Sequence, residues 1–169
     1  AGSYVHHFTS NFEFPSVWDI QLHMSLYEEL AEIHSLHASI TKKRQIASSY
    51  FHCAKLINRI WFDEGAIMKM GASLKDFVNL AGSWKFLEEY RAFLNEHTAW
   101  YRPMKPDKTL EWQQQWEVTK NGRKKMVGLK GMITGMSFEQ SDTKGVGGPC
   151  SIFFYEEAGI APKMDKTFE

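Results

Sequence analysis

The sequence has few cysteines, no long apolar run and no excess of charge of either sign. Its two cysteines, Cys53 and Cys150, lie far apart without a histidine or cysteine at metal-ligand spacing. This pattern argues against a disulfide framework and a zinc site, and it favours a reducing compartment. No apolar stretch reaches membrane-spanning length, and the first residues lack the pattern of a signal peptide. Because 20 basic and 20 acidic residues balance, a contact with DNA has to be a local patch.

Aromatic and apolar residues are plentiful. They make up 14% and 43% of the 169 residues, which is enough for one packed core and argues against disorder. Residues 1–15 are aromatic and polar without a clear period, so we expect an extended arm there. The rest of the chain, 16–169, is then expected to form one domain.

Apolar periodicity predicts several helices and strands. A first helix after Ser16 has an apolar stripe that we expect to cover a sheet face, made of Trp18, Leu22, Leu26, Leu30 and Ile33. A second helix has a stripe of Tyr50, Cys53, Ala54, Ile57, Ile60 and Trp61. A short strand over 65–71 is followed by a helix that runs from Ser73 toward His97, with a kink or break at Gly82.

The next part of the chain reads as strands. Alternation from Trp112 to Val118 predicts one strand, Asn121-Gly122 predicts a type I′ turn, and residues 123–129 return as the second strand of a hairpin. Basic side chains cluster at the tip, namely Lys120, Arg123, Lys124 and Lys125. Such a tip is either simply solvated or contacts DNA or a partner. Residues 132–138 form another candidate strand, and a glycine-rich loop follows over 142–149.

Two consecutive carboxylates follow the apolar run Ile152 to Tyr155. The run predicts a strand that is buried on both faces, and its carboxyl end would deliver Glu156 and Glu157 to the crevice where open α/β sheets bind ligands. In a nucleotide site, Glu156 would hold the Mg²⁺ shell and Glu157 would orient or deprotonate the attacking water. The alternative is a strand that ends in a solvated acidic turn.

A basic segment upstream has the layout of a phosphate-binding loop. A short strand over about 37–42 would lead into a turn, and a helix would then begin near Ser49. Backbone N–H groups at the start of this helix would face an anion, Lys42, Lys43 and Arg44 would supply positive charge, and the Ser49 hydroxyl would ligate Mg²⁺. The motif is degenerate, because Ala47 and Ser48 stand where it has its last glycine and its lysine. The alternative is a solvated basic turn.

Together, these segments resemble the ATPase domain of the large terminase subunits of tailed bacteriophages, which package DNA. The similarity runs from about Phe14 to the end of the chain. The loop Arg-Gln-x-Gly-Lys-Ser/Thr of that family is matched by Arg44, Gln45 and Ser49. The resemblance places the phosphate-binding residues at Lys42, Lys43, Arg44, Gln45, Ile46, Ala47, Ser48 and Ser49. It also implies metal ligands at Ser49 and Glu156, and a catalytic carboxylate at Glu157.

The resemblance implies a P-loop NTPase-like α/β fold, which is a mainly parallel sheet with flanking helices and a β-hairpin elaboration. It implies Mg²⁺-dependent ATP hydrolysis that drives viral DNA into a procapsid in the cytoplasm of the host. Double-stranded DNA, a portal, a small terminase subunit and further copies of the chain are the implied partners, with no membrane. We expect the sequence to be a fragment of such a motor, ending after its acidic strand.

Two other functions stay open. The first is a degenerate P-loop-like binding module without ATPase activity, which would act in assembly on DNA or partner subunits; the missing lysine favours it. The second is a small α+β interaction protein in which Glu156 and Glu157 are merely solvated. An antiparallel sheet would support that function.

Overall fold

The computed structural model of the protein describes residues 4–5, 12–13, 18–42, 47–79, 82–97, 109–139 and 148–156. The chain divides into two units, residues 1–51 and 52–169. The first unit contains the antiparallel strand pair β1 (Tyr4–Val5) and β2 (Phe12–Glu13) and the helix α1 (Asp19–Ile33). The helix α2 (Ser48–Phe62) begins in the first unit and continues in the second.

The second unit contains the remaining elements. They are β3 (Ile67–Ala72), α3 (Lys75–Val78), α4 (Ser83–His97), β4 (Glu111–Gln113), β5 (Trp116–Lys120), β6 (Arg123–Val127), β7 (Met132–Ser137) and β8 (Ile152–Glu156). The predicted break at Gly82 is confirmed, because this residue lies in a turn directly before α4. None of the helices in the described ranges combines the length and the apolarity of a membrane span.

The main sheet has four strands in the order β4-β7-β3-β8. Strands β7 and β8 both pair with β3 in parallel, whereas β4 pairs with β7 antiparallel. The predicted mixed α/β architecture with a mainly parallel sheet is therefore confirmed. The three parallel strands also argue against the small α+β interaction protein, for which we would expect an antiparallel sheet.

Helices α2 and α4 pack on the same face of this sheet. Gly135 and Phe154 both stand opposite Met70 in the register, so the three residues share one face. The ring of His52 stacks on Phe154 at 4.4 Å, and the Trp84 ring packs on Gly135, where an added Cβ would approach it to 3.0 Å. The two helices also meet directly, since the thiol of Cys53 donates to the carbonyl of Ser83 over 3.5 Å.

The core lies between these helices and the sheet. The inward side chains of β3 are fully buried, as are the apolar positions of the two helices that face them; the set comprises Met68, Met70, Ala72, Cys53, Leu56, Ile60, Trp84 and Leu87. Trp84 also packs edge-on against the buried ring of Trp112, with centroids 5.8 Å apart. Each large apolar side chain buried in this way contributes about 1.5–3 kcal/mol. The predicted stripe of α2 is confirmed as the buried face of that helix from Cys53 to Ile60, whereas Trp61 is half-buried.

The predicted hairpin is confirmed, with β5 and β6 joined at Asn121-Gly122. Both turn residues have positive φ, 53° and 72°, as a type I′ turn requires. The prediction of one strand from Trp112 to Val118 was wrong, because the strand is interrupted at Gln114. This buried residue donates its backbone N–H to Gly131 and accepts from Lys130, and its side-chain oxygen accepts the N–H of Leu129 over 2.8 Å.

Three further predictions were wrong. Residues 36–42 form no strand, and only Ile40 among them is partly buried. The predicted stripe of α1 is exposed, whereas Met24 and Ala31 are its buried residues. Strand β8 is half-buried along its length and not buried on both faces. Its only partner among the described strands is β3, so it lies at an edge of the sheet.

Candidate functional site

Glu156 lies at the carboxyl end of the parallel strands. It is the last residue of β8 and stands opposite Ala72, the last residue of β3. The residue is half-buried, and its Oε2 atom is shielded from solvent. Parallel strands bring their carboxyl ends to one edge of a sheet, which is where open α/β sheets bind ligands. The structure therefore places a partly desolvated carboxylate where the carboxyl ends of β3 and β8 meet.

Helix α2 lies beside this carboxylate. His52 stacks on Phe154, which lies two residues before Glu156. Cys53 is close enough to Glu156 to interact with its negative charge. Burial, and then the negative charge of Glu156, raise the pKa of the Cys53 thiol well above its usual value. The thiol is thus protonated at neutral pH and lends no negative charge to the site.

Aromatic residues support the other face of β8. The ring of Phe138 lies 5.2 Å from that of Tyr155 and 5.9 Å from that of Phe153. The hydroxyl of Tyr155 lies 3.4 Å from that of Ser73, which follows β3 and is buried. These contacts fix the last residues of β8 against β3 and the end of β7. They therefore hold the backbone from which the Glu156 side chain projects.

The residues of the predicted phosphate loop are described only in part. Ala47, Ser48 and Ser49 lie at the start of α2, with Ser48 buried, and Lys42 is exposed. Lys43, Arg44, Gln45 and Ile46 lie outside the described residues, and so does Glu157. The described loop residues belong to the first unit, whereas Glu156 belongs to the second. Of the whole predicted site, the structure places Glu156 alone at the edge of the described sheet.

The conformation of Ala47 is unusual. Its φ is 53°, in the left-handed region that costs an L-residue about 1–2 kcal/mol and costs glycine little. This is the position at which the phosphate-loop motif has its last glycine. The backbone here adopts a shape for which glycine is the ordinary choice, although the side chain is a methyl group.

Sequence reasoning missed the neighbours of Glu156. The sequence places Cys53 only on the apolar stripe of a helix, and Ser73 only at the start of one. Their meeting with the end of β8 depends on how helix and sheet pack, for which the sequence contains no local signal. Within the described ranges, no three His, Cys, Asp or Glu side chains cluster closely enough to hold a metal by themselves.

Comparison with known proteins adds no relative, since we find no match to this chain among protein family models, curated proteins or solved structures.

Proposed function

We propose that this chain is the ATP-binding and ATP-hydrolysing part of a DNA-packaging motor of the large-terminase type. The observation that supports this most directly is the half-buried Glu156 at the carboxyl end of a parallel strand. A carboxylate at this position loses part of its hydration, and a bound cation offsets that loss. In a nucleotide site the cation is Mg²⁺, which typically takes one or two protein carboxylates together with phosphate oxygens and water.

The other roles in this proposal come from the sequence. The backbone of Gln45 to Ser49 would bind the phosphates, with Lys42, Lys43 and Arg44 as the source of positive charge. Ser49 would join Glu156 in ligating Mg²⁺, and Glu157 would activate water. In a complete motor, hydrolysis would move double-stranded DNA through a portal, together with a small terminase subunit and further copies of the chain, in the cytoplasm of an infected bacterium.

The left-handed backbone at Ala47 is a second support. A phosphate loop needs its backbone N–H groups turned toward the anion, and a glycine at positive φ commonly produces that turn. Ala47 has this conformation directly before α2 begins at Ser48. The left-handed backbone of Ala47 directly before α2 therefore supports the proposal, although the residue is not a glycine.

Two observations favour a second candidate function, a binding module that has lost hydrolysis. Ser48 stands at the lysine of the motif, so no lysine projects from that position toward the phosphates. Residues 36–42 form no strand, whereas a phosphate loop normally follows one. Such a module would act in assembly on DNA or partner subunits and would retain at most nucleotide binding.

Steady-state hydrolysis and nucleotide affinity of Glu157→Gln separate the two functions. A carboxylate that activates water acts mainly in the transition state. If the chain hydrolyses ATP, this variant should bind Mg·ATP as the wild type does while its turnover collapses. An unmodified chain that binds ATP without turnover, in the presence of DNA, would instead identify the binding module. Wild-type turnover in Glu157→Gln would remove the catalytic assignment.

A further inference from the structure

The β5–β6 hairpin separates its charges between its two faces. In an antiparallel pair, residues that stand opposite each other point to the same side, and alternate residues along a strand share that side. Lys120 stands opposite Arg123, and Val118 stands opposite Lys125. All three cations therefore lie on one face, near the Asn121-Gly122 turn. We call Lys120, Arg123 and Lys125 the cationic face.

The opposite face is close to neutral. It carries Lys124 and the hairpin's one acid, Glu117, and the two form an ion pair of 3.0 Å. No acid shares the cationic face, and none of its three cations forms an ion pair with a described residue. The four basic residues look equivalent in the sequence, but in the structure they differ. Lys124 is paired with Glu117, whereas the three residues of the cationic face are available to bind an anion.

The cationic face is accessible, and its position is fixed. Every residue of β5 is exposed, and so is β6 except for Val127. An isolated two-stranded hairpin is marginally stable in water, so its base needs support. Gln114 supplies it, since its buried side chain and backbone bond to residues 129–131, which directly follow the hairpin. The three cations are thus exposed on a ribbon whose base is held by hydrogen bonds.

We propose that the cationic face of this hairpin binds the phosphate backbone of double-stranded DNA. A polyanion complements three adjacent cations without an acid among them, and duplex DNA has one charge per about 1.7 Å of its axis. Single-stranded DNA is bound chiefly by aromatic side chains that stack on bases. Trp116 is the one aromatic residue of the hairpin; it lies on the same side as the three cations but at the end of the ribbon away from the turn. The arrangement therefore favours duplex phosphates over stacked bases.

The proposal rests on the hairpin alone and does not require ATP to bind. The chain has no net charge, so attraction to DNA has to come from such a local patch. Phosphate contacts release counterions and do not read bases. Binding should accordingly be independent of DNA sequence and strongly dependent on salt.

The test is the salt dependence of binding to a short labelled duplex, measured by fluorescence anisotropy without nucleotide. Each lost phosphate contact lowers the slope of log affinity against log salt by about 0.9. The slope of the triple variant K120Q/R123Q/K125Q should thus be smaller than that of the wild type by about 2.7. Between about 50 and 200 mM salt, the wild type should therefore lose about 40-fold more affinity than the variant does. Two duplexes of unrelated sequence should give the same result.

The matched control is the double variant E117Q/K124Q, which alters the other face and leaves the net charge unchanged. It should bind with the wild-type affinity and slope. Thermal unfolding of both variants should match the wild type, because exposed substitutions of this kind have small effects on stability. A failed ATP-binding experiment would leave these expectations untouched.

Several outcomes would overturn the proposal. They are an undiminished slope in the triple variant, no duplex binding by the wild type at low salt, and an equal loss in the control variant. Tighter binding to single-stranded DNA of the same length would assign the hairpin to another ligand. Equal affinity for polyglutamate would show an unspecific polyanion surface and would likewise contradict a DNA site.

Discussion

Substituting Gly128 by alanine should strongly destabilise the second unit. Gly128 ends the hairpin with a φ of 127°, which an L-residue adopts only under strain. A Cβ atom there would lie 2.6 Å from the carbonyl oxygen of Gln114 and 2.9 Å from the Cα of Gln115. Both are backbone atoms at the base of the hairpin, so a side-chain rotation cannot relieve the overlap.

The expected magnitude has two parts. The strained backbone costs about 1–3 kcal/mol, and the forced displacement of packed atoms costs about 1–3 kcal/mol more. A total of about 2–6 kcal/mol is a large share of the 5–15 kcal/mol by which a domain is ordinarily stable.

Gly122→Ala is the control for this prediction. Gly122 also has positive φ, 72°, and lies in the same hairpin, but no atom lies within 4 Å of the place of its Cβ. Only the strain remains, at about 1–2 kcal/mol. Urea unfolding followed by tryptophan fluorescence measures both variants. If Gly128→Ala cost no more than Gly122→Ala, the close approach at the base of the hairpin would be refuted.

Three shorter predictions concern the core, the start of α2 and the thiols. Trp84→Ala should lower the free energy of unfolding by about 3–5 kcal/mol, because Trp84 is fully buried; a loss below 1 kcal/mol would contradict that packing. Ala47→Gly should not destabilise the protein and should relieve up to about 1 kcal/mol of strain, whereas a clear loss in urea unfolding would argue against the left-handed backbone. Because burial and Glu156 raise the pKa of Cys53, the unfolded chain loses this proton first as pH rises. The free energy of unfolding should therefore fall above about pH 8.5, by up to about 1.4 kcal/mol per pH unit, and less steeply in Cys53→Ala. Identical pH profiles for the two proteins would contradict the buried thiol.

The elements with local signals could be predicted from the sequence. The stripe of α2, the break at Gly82 and the Asn121-Gly122 turn each follow from neighbouring residues, through helical period, glycine or turn chemistry. The parallel strands β3 and β7 were recognisable as apolar runs between turn residues. The position of Glu156 at the end of a strand was predicted from the apolar run that precedes it.

Other features depend on which elements meet, and they could not be predicted. An apolar run such as Ile152 to Tyr155 predicts a strand but does not say whether that strand has one neighbour or two. Residues 37–42 alternate weakly, yet a strand forms only where a partner strand is available. Gln114 reads as one more residue of an alternating strand, whereas its buried hydrogen bonds interrupt that strand. The face on which each cation of the hairpin lies could be found only from the register of β5 and β6.

Equilibrium binding of ATP, with and without Mg²⁺, tests the proposed nucleotide site most directly. The wild-type chain should bind Mg·ATP, and Glu156→Gln should bind it at least about tenfold more weakly, since about 1.4 kcal/mol is a modest share of a metal-linked carboxylate contact. Without Mg²⁺ the two should bind ATP alike, because the carboxylate acts through the metal. Glu64→Gln, at an exposed residue that precedes the amino end of β3, is the matched control and should bind Mg·ATP as the wild type does. No binding by the wild type, or equal Mg·ATP affinity in all three proteins, would contradict the assignment of Glu156 to a nucleotide-bound metal.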